Sequence, residues 1–65
     1  MMDPYAVEPG DTLWDISSRI LDTSDAGRIA RYWPTLYRHN RSVVGPDPNL
    51  IEAGQLLELP REGRP

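Results

Sequence analysis

The stretch Tyr5-Ala6-Val7-Glu8-Pro9-Gly10-Asp11-Thr12-Leu13-Trp14-Asp15-Ile16 decides the fold, because its hydrophobic period changes midway. Tyr5 and Val7 alternate with Ala6 and Glu8, the two-residue period of a short strand with one apolar face. Pro9-Gly10 stops that run. Asp11 and Thr12 then offer N-cap side chains, and Asp15, three residues after Thr12, completes a capping-box pattern. Behind it Leu13, Ile16, Ile20 and Leu21 recur at helical spacing, so residues 12–21 read as an amphipathic helix.

Outward from this stretch, Asp22-Thr23-Ser24-Asp25 forms a second turn and cap cluster. Ile29, Trp33, Leu36, Tyr37 and Asn40 follow at helical spacing. Pro34 removes a backbone donor and crowds the preceding turn, which predicts a kinked or two-piece helix across residues 25–40. Residues 41–54 read as loop, since Gly45-Pro46-Asp47-Pro48-Asn49 cannot continue a helix and Gly54 marks a turn. Gln55-Leu56-Leu57-Glu58-Leu59 reads as the second strand, closed by Pro60. Residues 1–4 read as a tail and residues 61–65 as a tail or linker, which leaves residues 5–60 as one domain. Two lone strands at opposite ends of a small chain are stable only if they pair and a helix layer covers them. The expected class is α+β, in the order βααβ: a two-stranded antiparallel sheet with two helices packed on one face.

Composition narrows the partners. The 65 residues hold seven basic and ten acidic side chains, for a net charge of −3, and no cysteine. Every basic residue is an arginine, interleaved with carboxylates, where a nucleic-acid module would cluster its positive charge. An acidic surface is also repelled by anionic lipid, and no stretch approaches the ~20 apolar residues of a membrane span. A neutral ligand, or one whose recognised part is neutral, fits this chain better. Met1-Met2-Asp3-Pro4 has neither the basic nor the apolar region of a signal peptide, so any export signal is expected on a longer parent chain. His39 stands alone among arginines, with no second histidine or cysteine to share a metal; no cofactor is expected.

The opening stretch resembles the first motif of LysM domains: an aromatic-x-Val strand, then Gly-Asp-Thr-Leu, then an Ile three residues on. Asn40 falls where that family's second helix ends in Asn. Ile51-Glu52-Ala53-Gly54-Gln55-Leu56-Leu57-Glu58-Leu59-Pro60 is similar to the closing Ile-x-Pro-Gly-Gln-x-Leu-x-Ile-Pro motif. The resemblance spans residues 5–60. Ala53 departs from the usual Pro, and the segment between the helices and the loop over residues 41–49 exceed the shortest members. Trp33-Pro34-Thr35-Leu36-Tyr37-Arg38-His39-Asn40 resembles instead the Trp-x-x-Ile-Tyr-x-x-Asn helix of a longer variant from bacterial envelope proteins.

The resemblance implies a non-catalytic carbohydrate-binding module for N-acetylglucosamine polymers, peptidoglycan or chitin. Its sugar groove lies between the loop after the first strand and the loop before the second. Matching positions are Gly10, Asp11, Thr12, Leu13 and Trp14 on one side, with Asn49, Leu50, Ile51 and Ala53 on the other. An acetamido group offers one donor, one acceptor and a methyl, which exposed backbone groups and an apolar notch of Leu13, Leu50 and Ile51 would satisfy. Gly10 lets the backbone approach because it lacks a Cβ.

Each position also has a plainer reading. Asp11 and Thr12 are caps first, a role worth about 1 kcal/mol whether or not sugar binds. Leu13 and Ile51 belong more naturally to a core, and Leu50 is the better exposed contact. Trp14 lies one position off the apolar stripe, compatible equally with packing under a sugar and with shielding the sheet. Trp33 and Tyr37 sit on the stripe and read as core, as does Tyr5. Asn40 reads as a helix cap.

Asp11 and Asp15 resemble a carboxylate pair for glycoside hydrolysis only superficially, since cap and helix-dipole roles account for both. No serine has a plausible neighbouring base, and a domain this small leaves little room for a water-excluding cleft. The expectation is therefore a monomeric module that tethers a larger protein to a bacterial cell wall, in the envelope or outside the cell, with a cytoplasmic parent as the other location. The rival is a structural or protein-interaction module that keeps the fold without the sugar. Its mark would be a groove blocked by residues 41–49, or an apolar patch of Trp14, Leu50 and Val43-Val44. An exposed Trp14 beside an open groove favours sugar; a Trp14 buried under that loop favours the rival.

Overall fold

The computed structural model describes residues 4–61. The expected tails over 1–4 and 61–65 fall largely outside them; within, Pro4 and Arg61 are exposed. The chain runs β1 (Tyr5–Ala6), α1 (Leu13–Leu21), α2 (Ala26–His39), α3 (Arg41–Val44) and β2 (Leu56–Leu57). β1 and β2 pair antiparallel, Tyr5 opposite Leu57 and Ala6 opposite Leu56. Pairing continues beyond the strands: the Val7 N–H donates to Gln55 O at 2.9 Å, and the Gly54 N–H donates to Val7 O at 2.8 Å. Gly54 holds φ +92°, a left-handed value that suits the turn into β2. The α+β fold with a two-stranded antiparallel sheet and two main helices is as expected.

Local chemistry accounts for the helix limits. The Thr12 hydroxyl accepts from the Asp15 N–H at 3.0 Å, satisfying one orphan donor at the start of α1. At the other end Asp22 adopts φ 52°, and its N–H and that of Thr23 turn back to Arg19 O and Ser18 O. This is the left-handed stop usual for glycine, here taken by a short polar residue. Asp25 caps α2 by accepting from Gly27 N–H at 2.9 Å and Arg28 N–H at 3.3 Å.

Two expectations are corrected. α2 is one continuous 14-residue helix with Pro34 inside it, which excludes the two-piece form of the kinked or two-piece helix expected there. Ile29 and Tyr32 before the proline, and Leu36 after it, are all buried on the same stripe. Their burial, about 1.5–3 kcal/mol each, outweighs the roughly 3 kcal/mol cost of an internal proline. Residues 41–54 are also not wholly loop. α3 winds one turn directly after Asn40 and buries Val44, and the Tyr37 hydroxyl donates to Gly45 O at 2.7 Å to fix its end.

The core joins sheet and helices: Val7 and Leu57 from the sheet side meet Leu13, Ile16, Tyr32, Leu36 and Val44. Ala6, Leu56 and Glu58 point away and are exposed. The helices therefore cover one face of the sheet.

Candidate functional site

The loop between β1 and α1 is built around Asp11. Its N–H donates to Glu8 O at 3.0 Å, and its carboxylate accepts from the Glu8 N–H at 2.9 Å. The same carboxylate accepts from Arg19 Nη1 at 2.8 Å and from the Tyr5 hydroxyl at 3.3 Å. Arg19 Nη1 also donates to the Tyr5 oxygen at 2.5 Å. Burial alone would raise the Asp11 pKa. The Glu8 N–H, the Arg19 guanidinium and the Tyr5 hydroxyl together outweigh it and hold the carboxyl below its ordinary value. The hydrogen bonds to Asp11 and Tyr5 in turn raise the Arg19 pKa. Asp11 is thus a hub of the loop, and the cap role expected of it belongs to Thr12 alone.

A cleft of about 200 Å³ opens at this loop, lined by Thr12, Leu13, Trp14, Trp33, Pro48 and Asn49. Three elements converge on it: the start of α1, the middle of α2, and the segment between α3 and β2. On the last, Asp47 Oδ1 accepts from the Asn49 N–H at 2.9 Å and Asp47 O accepts from the Leu50 N–H at 3.0 Å. This tight turn presents Pro48 and Asn49 to the cleft.

Of the residues expected in the site, Thr12, Leu13, Trp14 and Asn49 line the cleft together. Gly10, Asp11, Leu50, Ile51 and Ala53 do not. Asp11 faces inward to Arg19, its side chain only 4% exposed. Ile51 is half-buried against the core, while Leu50 is 66% exposed on the surface. Gly10 and Ala53 are exposed on their turns.

Trp33 and Pro48 were not expected in the site. Helical spacing placed Trp33 in the core, and it does pack there, but an indole is large enough to reach the cleft as well. Pro48 was visible only as a turn residue. Asn40 is buried and serves as a cap, as expected; its further contacts are to Glu58, just beyond β2. His39 lies 3.2 Å from the Glu58 carboxylate. Among the described residues no group of three or more His, Cys, Asp or Glu is placed to hold a metal, and no helix is long and apolar enough to cross a membrane.

The lining contains no ionisable side chain. Two indoles, a proline ring and a leucine supply apolar surface; a hydroxyl and an amide supply polarity. Such a surface suits a ligand with apolar C–H faces and neutral hydrogen-bonding groups, since nothing in the lining would neutralise a ligand charge.

A small βααβ domain with paired terminal strands and one neutral, aromatic-lined cleft belongs to the class of small α+β binding modules. The LysM domain family model matches residues 5–60, and the chain is a member of that family. LysM domains are generally binding modules for N-acetylglucosamine-containing polymers, and typically belong to extracellular or wall-associated proteins. No curated protein and no solved structure matches the chain.

Proposed function

We propose that this domain binds N-acetylglucosamine polymers non-catalytically in the cleft of Thr12, Leu13, Trp14, Trp33, Pro48 and Asn49, and so tethers a parent protein to peptidoglycan. The observation that carries the reading is Trp14, 42% exposed at the rim of an open cleft. A loop over residues 41–49 that buried Trp14 would have favoured the protein-interaction reading. Instead residues 41–44 wind into the short helix α3, which buries Val44 in the core, and Pro48 and Asn49 line the cleft.

The lining chemistry supports the ligand class. An indole face stacks on the C–H face of a pyranose, and the Asn49 amide has the donor and acceptor that an acetamido group requires. The Thr12 oxygen already accepts from Asp15, which leaves its O–H free to donate. Gly10, Asp11, Leu50, Ile51 and Ala53 are assigned no direct contact in this reading. A single shallow cleft of this kind binds in the millimolar to micromolar range. Retention on a wall then comes from the repeating polymer or from several modules.

The test is an ¹⁵N-HSQC titration with N-acetylglucosamine oligomers and, separately, solubilised peptidoglycan fragments. Saturable shifts at residues 12–14, at the Trp33 indole and at residues 48–49 are expected. A folded domain with no shifts at several millimolar ligand would sink the reading, and stronger binding of chitin oligomers than of wall fragments would redirect it to chitin.

A further inference from the structure

We infer that Arg19 is a positioning residue for the glycan cleft: through Asp11 and Tyr5 it orders the loop that leads into one wall at Thr12, and it sets affinity without touching ligand. The inference rests on the glycan reading above, but it begins from the loop itself. Glu8 and Asp11 close the Pro9-Gly10 turn twice, once through their backbones and once through the Asp11 carboxylate. At the tip, Gly10 holds φ +85° and has no neighbour within 4 Å of where a Cβ would stand. Packing does not hold this tip. Its order depends on Asp11 at its base.

Asp11 in turn depends on Arg19. The carboxylate is nearly inaccessible, with the side chain 4% exposed, whereas the arginine is 51% exposed. Arg19 lies in the last turn of α1 and reaches back to the residue that precedes that helix's own cap. It also grips Tyr5 on β1, so one guanidinium nitrogen joins the strand, the loop and the helix. The residue after Asp11 is Thr12, followed by Leu13 and Trp14, all lining the cleft. Without Arg19, a part-buried carboxylate keeps only the Glu8 N–H and the Tyr5 hydroxyl. The cheapest relief is to turn outward to water and carry residues 9–12 with it.

An exposed arginine contributes little to global stability by charge alone. A pre-organised wall, by contrast, contributes directly to affinity, because a disordered one must be ordered at the moment of binding. A merely structural arginine would change stability and leave affinity unchanged at temperatures where the domain stays folded.

The experiment compares wild type with Arg19→Met, Arg19→Lys and the control Arg31→Met, an exposed arginine on α2. The probe is a tetramer of N-acetylglucosamine, followed by NMR at a temperature where all variants are folded, together with amide hydrogen exchange in its absence. Arg19→Met is expected to weaken binding about tenfold and to speed exchange at Glu8 and Asp11, while Val7 and Gly54 in the sheet keep their protection. Arg19→Lys recovers part of both effects, since an ammonium supplies the charge and a donor but lacks the planar fork. Unchanged affinity in a folded Arg19→Met protein, or loop amides that stay protected, overturns the inference. If wild type binds no tetramer, the glycan reading fails by itself, and the exchange data still decide whether Arg19 orders the loop.

Discussion

Asn40 holds Glu58 by both atoms of its amide. Its Oδ1 accepts from the Glu58 N–H at 2.7 Å and its Nδ2 donates to Glu58 O at 2.8 Å, 18 residues away. The same Nδ2 donates to Leu36 O at 2.9 Å, so one buried side chain ends α2 and docks the chain beyond β2 onto it. Replacement by alanine leaves both backbone groups of Glu58 unpaired at a part-buried site. Asn40→Ala is therefore expected to cost about 2–3 kcal/mol, read as a lower urea midpoint with an unchanged slope. Asn40→Asp keeps the acceptor but sets a carboxylate against two carbonyls. It should be at least as damaging at neutral pH and recover in part on acidification.

Trp14 and Trp33 both line the cleft but differ in burial, which separates binding from stability. Trp14→Ala should weaken glycan binding about tenfold, or ~1.4 kcal/mol, and shift stability by less than about 1 kcal/mol. Trp33→Ala should reduce both, because its ring also packs on the core. Isothermal calorimetry beside chemical denaturation tests the split; a Trp14→Ala protein that loses stability but binds normally would contradict it.

Ser17 is fully buried in α1, and its hydroxyl has no hydrogen-bond partner among the described residues. An unpaired buried hydroxyl costs about 1–3 kcal/mol, while alanine is the better helix former. Ser17→Ala is expected to stabilise the domain by about 1 kcal/mol, seen as a melting point roughly 4–8 °C higher by calorimetry. A lower melting point would mean that the hydroxyl finds a partner in solution.

Asp11 gives stability a defined acid dependence. Its carboxyl is held below its ordinary pKa of 3.8, so the folded state binds this proton less readily than the unfolded chain. The contribution is fully present above the unfolded value and is lost as pH falls through the lower folded value. Melting points measured from pH 5 down to pH 2 should fall, and Asp11→Asn should flatten part of that fall while lowering the plateau above pH 5. An equally steep profile in Asp11→Asn would assign the acid sensitivity to other carboxylates.

How far the site was legible depends on what each residue needed. Thr12 was readable as a cap because its partner, Asp15, lies three residues away. Asp11 carries the same cap chemistry one position earlier and was read the same way; its partner is Arg19, which no local pattern singles out. Trp33 was readable as core from its spacing, and that holds in part. Its second surface, toward the cleft, exists only because Pro48 and Asn49 are folded back opposite it. α3 was hidden because Gly45 and Pro46 dominate the reading of that segment, whereas Val44 is drawn into the core by contacts from elsewhere.

The family, the order of the two strands and the two main helices, the caps at Thr12 and Asn40, and the antiparallel closure of the two ends follow from the sequence alone. Those features rest on short-range physics: a two-residue or 3.6-residue apolar period, a hydroxyl within reach of an N–H three residues on, and Pro and Gly where neither strand nor helix can continue. That Asp11 turns inward, that Asn40 binds Glu58, and that Trp14 and Trp33 share one cleft follow from the packed fold. Each depends on groups between 8 and 19 positions apart in the chain that the fold brings to one place. Such meetings are fixed by packing of the whole core, and no segment carries them alone.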